Sequence, residues 1–87
     1  MRLEPEEMRA IINRAKRAHG HLGKVVSMME QGADCEDVLT QLAAVLKALE
    51  RTGFAIVATG LQQCIAAGDG PESVDVKKME KLFLGLA

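Results

Sequence analysis

An all-α fold is predicted by three features of this chain. Apolar residues recur at three- and four-residue steps over two long stretches, the spacing that lines one side of a helix. No proline interrupts the run from Asp34 to Ala67. Only 2% of the residues are aromatic, Phe54 and Phe83, so a core must be built from Leu, Ala, Val, Ile and Met, which suits packed helices.

The first helix is expected to open after Leu3-Glu4, where Pro5 is compatible with a first turn and Glu6 and Glu7 meet the positive end of the helix dipole. It runs to Gly32. Met8, Ile11, Ile12, Ala15, Ala18, Leu22, Val25, Val26 and Met29 form its apolar stripe, and Gly20 and Gly23 lie inside it at some cost in propensity. The second helix starts where Asp34 can cap, with Asp37 as a further acid in the first turn. It continues through Val38, Leu42, Val45, Leu49, Ile56 and Leu61 to Gly68-Asp69-Gly70-Pro71, as one long helix containing Gly53 and Gly60. Ser73 caps a short third helix carrying Val76, Met79, Leu82 and Phe83. No repeat, low-complexity tract or linker divides the chain, so residues 1–87 read as a single domain.

A domain of this size buries a modest fraction of its surface, which favours oligomers. Hydrophobic residues make up 48% and charged ones 26%, a globular balance. No apolar run reaches the roughly 20 residues that span a bilayer, and Met1-Arg2-Leu3-Glu4-Pro5 lacks a signal-peptide core, so a cytoplasmic protein is expected. In a reducing cytoplasm two cysteines point to burial, a metal site or a redox role rather than a permanent disulfide.

The net charge is only −1, but its distribution is uneven. Between Met8 and Met29 there is no acid, while Arg9, Arg14, Lys16, Arg17 and Lys24 all occur. At about 100° per residue these cations gather opposite the apolar stripe. Lys47 and Arg51, four apart on the second helix, extend that surface if the first two helices pair as an antiparallel hairpin. Clustered Lys and Arg on a rigid element neutralise phosphates, and without Trp or Tyr to stack on unpaired bases the partner expected is double-stranded DNA. The alternative is an ordinary solvated helix face.

Cys35 and Cys64 are 29 residues apart. On one continuous helix that is about 44 Å, whereas bridged cysteines need Cα atoms within about 7 Å. One chain cannot join them. The same 29 steps return the pair to nearly one helix face, so an antiparallel copy would set Cys35 beside Cys64 of its partner, twice by symmetry. The alternative is two buried cysteines acting as small hydrophobes.

The segments Asn13-Arg14-Ala15-Lys16-Arg17-Ala18-His19-Gly20-His21-Leu22, Cys35-Glu36-Asp37-Val38-Leu39-Thr40-Gln41-Leu42 and Leu61-Gln62-Gln63-Cys64 together resemble the CsoR/RcnR/FrmR family of bacterial transcriptional repressors, over nearly the whole chain. The resemblance implies a three-helix protomer, an antiparallel helical-hairpin dimer forming a four-helix bundle, and a dimer of dimers with the sensing site between subunits. It makes Arg14 and Arg51 the leading DNA contacts, followed by Lys16, Arg17 and Lys47.

Branches of this family differ in what they sense. Cys35 and Cys64 match the two cysteines of the copper and persulfide branches. The copper branch adds a histidine four residues before the second cysteine, where this chain has Gly60, and commonly a tyrosine before the first, where it has Asp34. The nickel and cobalt branch needs more histidines than His19 and His21, which read as structural or surface residues. The formaldehyde branch has proline where this chain has Arg2 and lacks the second cysteine. The remaining resemblance is to the persulfide-sensing CstR branch. It implies a repressor that senses low-molecular-weight persulfides or polysulfides through Cys35 and Cys64 of the partner subunit and releases DNA on crosslinking. The alternative is a copper(I)-sensing repressor using the same two cysteines. Met28, Met29 and Met79 lie on apolar stripes and read as core.

No cofactor is expected. An enzyme is not expected either: there is no Cys-x-x-Cys, glycine-rich phosphate loop or paired-carboxylate constellation. A purely structural helical module is the third class, against which the basic first helix speaks.

Overall fold

Residues 2–68, 70 and 72–86 are described by the computed structural model. Helix α1, Pro5–Glu30, begins as expected: Pro5 takes the first helical position, where its missing N–H leaves no bond unmade, and the carbonyl of Glu4 accepts from the backbone N–H groups of Glu7 and Met8. It stops because Gly32 adopts φ +74°. The N–H groups of Gly32 and Ala33 then donate to the carbonyls of Met29 and Met28 at 3.2 and 2.9 Å, the paired bonds of a Schellman turn.

Helix α2, Cys35–Ala66, is unbroken over 32 residues. The Asp34 carboxylate caps it, accepting from the Glu36 N–H at 3.0 Å. Gly68, at φ +89°, turns the chain out of its far end. The glycine-rich connection follows; Asp69 and Pro71 lie outside the described residues. Helix α3, Val74–Leu86, is capped by Ser73, whose Oγ accepts from the Val76 N–H at 3.1 Å.

Helices α1 and α2 form an antiparallel hairpin. Gln63 Nε2, near the end of α2, donates to Glu7 Oε2 at 2.7 Å, and His21 Nε2 meets Gln41 Oε1 at 2.7 Å further along the pair. Met8, Ile11, Ala18 and Val25 of α1 and Val45 of α2 are buried. Thr52, also buried, satisfies its hydroxyl by donating to the Ala48 carbonyl at 2.8 Å.

Helix α3 folds back along the second half of α2. Met79 presses on Gly60, Phe83 meets Phe54 with ring centroids 5.4 Å apart, and Leu86 rests on Gly53. The two glycines inside α2 are thus the places where α3 comes close.

The protomer measures 53 × 26 × 13 Å, about one helix thick. A single layer of helices buries only the sides where neighbours touch, whereas stable domains stack at least two layers. The expected apolar stripes are correspondingly only partly buried. Ile12, Leu22, Val26 and Met29 of α1, Leu39, Leu46, Leu49 and Ile65 of α2, and Leu82 and Phe83 of α3 are exposed. Met79 is core as expected; Met29, expected there too, is 56% exposed.

Candidate functional site

The basic surface is built on the α1–α2 hairpin. Arg14 and Arg17 of α1 and Arg51 of α2 line one cleft of about 410 Å³ together with Ala18, His21 and Ala48. The small alanines let the helices approach closely enough for guanidinium groups from both to converge. Lys16, Lys24 and Lys47 are exposed cations outside the cleft lining. Arg9 contributes less, because Glu6 one turn earlier holds its guanidinium through two bonds of 2.9 and 3.0 Å. Sequence pattern placed the arginines on one side of α1; His21 joined to Gln41 at the same cleft needed the pairing of the two helices to be seen.

The cysteines are positioned by α2 alone. At about 100° per residue, Cys35, Leu39, Leu42, Leu46, Leu49, Gly53, Val57, Gly60 and Cys64 fall within roughly a quarter of the helix circumference. The separation of about 44 Å follows from the unbroken helix at its usual rise, and neither cysteine is in a disulfide. Their surroundings differ. Cys35, the first residue of the helix, is exposed beside Asp34, Glu36, Leu39 and Thr40, whereas Cys64 is 5% exposed.

Residues 7–84 match the model of the metal-sensitive transcriptional repressors. The chain belongs to that family. It is similar to the copper-sensing transcriptional repressor CsoR of Mycobacterium ulcerans, with 38% identity over 74 residues covering 80% of this chain and 63% of the relative. The chain thus spans slightly less than two-thirds of that relative's length. The copper-sensing repressor CsoR of Bacillus subtilis is 29% identical over 73 residues, 79% of this chain and 72% of the relative. The uncharacterized protein YrkD of Bacillus subtilis is 53% identical over 38 residues, 44% of this chain and 60% of that protein. No solved structure matches.

For a member of a metal-sensitive family, the donor set decides which ion fits. Among the described residues of one protomer, no group of three or more His, Cys, Asp or Glu side chains is placed to hold a metal. A site using both thiols therefore needs two copies. Two thiolates suit a soft, low-coordinate ion such as copper(I). No imidazole joins them: residue 60, one turn before Cys64, is a buried glycine, and a Cβ built there would lie 2.7 Å from Met79 Cε and 3.2 Å from its Sδ. The methionine side chain fills the space that a residue-60 side chain would need. Sequence alone showed the missing histidine; what stands in its place became visible only once α3 was docked.

Among the described residues, no helix is long and apolar enough to cross a membrane.

Proposed function

We propose that this chain is a cytoplasmic, DNA-binding transcriptional repressor whose inducer is copper(I), held between Cys35 of one subunit and Cys64 of a second, antiparallel subunit. The observation that carries the reading is the placement of both cysteines on one face of one unbroken helix, 29 residues apart, in a chain related to copper-sensing repressors. The exposed Leu39, Leu46 and Leu49 lie between Cys35 and the α3-covered half of that same face, offering a second copy an apolar seam that leads to the thiols. Each thiol gives up its proton on binding the ion. Two such sites tie the N-terminal end of each α2 to the C-terminal end of the other.

The Arg14, Arg17 and Arg51 cleft, flanked by Lys16 and Lys47, binds operator phosphates, once per protomer, in a dimer or a dimer of dimers. Because α2 carries both Arg51 and the thiols, a bridge between two α2 helices changes the relative position of the arginine clefts. DNA binding and copper binding are coupled through that shared helix.

A second reading keeps the same residues and changes the inducer to a low-molecular-weight persulfide. Gly60 favours it, since the dithiol then lacks a preorganised nitrogen ligand. The Cys35 thiolate attacks the outer sulfur of the persulfide, the parent thiolate leaves, and Cys35 carries the sulfane sulfur. Cys64 of the partner subunit then attacks the Cys35 sulfur, hydrosulfide leaves, and a disulfide remains. The sulfane sulfur is reduced and the two thiols are oxidised by the same two electrons.

One experiment separates the readings: the reduced protein on an operator duplex is titrated anaerobically with copper(I) or with glutathione persulfide, with DNA binding and intact mass read on each sample. Release by stoichiometric copper(I) at unchanged thiol mass supports the copper reading. A covalent dimer and release with persulfide alone replaces it with the second. Cys35→Ala keeps DNA binding and loses the response; a variant that still responds refutes the thiol switch.

A further inference from the structure

We propose that the thioether of Met79 is a third ligand to copper(I), occupying the position that a histidine side chain at residue 60 would otherwise serve; this rests on the copper reading above. Met79 is 5% exposed on α3, and its terminal atoms crowd the space over Gly60. Its Sδ is 3.2 Å from where a residue-60 Cβ would stand. Residues four apart on a helix carry their Cβ atoms about 5–6 Å apart, so Cys64 shares this patch of α2. The sulfur of Met79 therefore lies over Gly60, about one helical turn from Cys64 on the same face of α2.

The chemistry agrees with the placement. Copper(I) prefers soft donors, and a neutral thioether completes a three-sulfur set with two thiolates without adding charge to a buried site. Methionine has three rotatable side-chain bonds, so its sulfur swings toward an ion without moving the backbone of α3. Gly60 is the enabling residue: any side chain there displaces the ε-methyl of Met79 and occupies the space through which the thioether reaches. The arrangement also gives α3 a part in sensing, because an ion held by Met79 binds α3 to α2 and to Cys35 of the partner subunit at once.

Selenium labelling tests this directly. The 87-residue chain, with its five methionines replaced by selenomethionine, is loaded anaerobically with one equivalent of copper(I) per protomer, and X-ray absorption is recorded at the copper edge. A copper–selenium scattering shell is expected in the wild-type sequence and is lost in Met79→Leu, a substitution that conserves volume. In unlabelled protein, Met79→Leu weakens copper(I) affinity at least about tenfold in competition with a chromophoric chelator. Copper bound with sulfur neighbours but no selenium shell overturns the role of Met79 and leaves the dithiol sensor standing. Failure of the wild type to bind copper(I) at one equivalent overturns both.

Discussion

The two halves of α2 are built from one pattern and meet different fates. Before Leu49 the face that carries the cysteines holds Leu39, Leu42 and Leu46 and is covered only in part: Leu42 is half-buried, while Leu39 is 58% and Leu46 57% exposed. After Gly53 the same face lies under α3, with glycines at the contact points and Phe54 packed on Phe83. One cysteine ends up in each half, Cys35 open and Cys64 buried. The pattern of a helix specifies which side is apolar; what covers that side is decided by the neighbour that reaches it. Here α3 is 13 residues long and reaches only half of a 32-residue helix. The uncovered half is where a second copy has most to gain.

The largest effect is expected at Leu46. On a solitary protomer, an exposed leucine changed to glutamate alters stability by less than about 0.5 kcal/mol. If the open half is a subunit seam, Leu46→Glu weakens self-association by at least about 2 kcal/mol, well over tenfold in dimer Kd. Sedimentation velocity over a concentration series reads this, and unchanged assembly would show that the seam lies elsewhere.

In the covered half, Gly60→Leu is expected to destabilise the fold by about 1–3 kcal/mol, because even its Cβ would collide with Met79. Chemical denaturation measures the loss. Combining it with Met79→Ala should restore part of it; strictly additive effects would mean that the two positions do not touch.

The cap of α2 comes next in size. Asp34→Ala removes the side-chain acceptor of the Glu36 N–H and costs about 1 kcal/mol. It frays the open half first, so amide exchange should accelerate around residues 36–38 and remain unchanged near Gly60. Uniform acceleration would show that the helix opens as one unit.

The smallest effect has the opposite sign. Gly20, in the middle of α1 beside the open half of α2, has nothing within 4 Å of an added Cβ. Gly20→Ala should therefore stabilise by about 0.5–1 kcal/mol through helix propensity alone. A destabilised variant would place a partner subunit against that site.

Much of this architecture is legible in the amino-acid sequence. The three helices begin where Pro5, Asp34 and Ser73 indicate, and the first two end at Gly32 and Gly68, because capping and left-handed turns depend on residues close in sequence. The shared face of Cys35 and Cys64 also followed from helical period alone, since a continuous helix converts residue number directly into angle and rise. So did the basic side of α1, although the pairing of Arg9 with Glu6 trims it.

Other features depended on how the helices dock. Burial of Cys64 but not Cys35, exposure of Met29, convergence of Arg14 and Arg17 with Arg51, and the thioether over Gly60 all arise where residues far apart in the chain meet. Periodicity cannot rank these, because every residue on an apolar stripe looks equally buriable. Residue order specifies the three helices, their caps and the angular positions of the thiols and cations, all local consequences of backbone geometry. Helix docking sets which half of α2 lies under α3 and what fills the space over Gly60, because a short third helix can lie against only one part of a long second one.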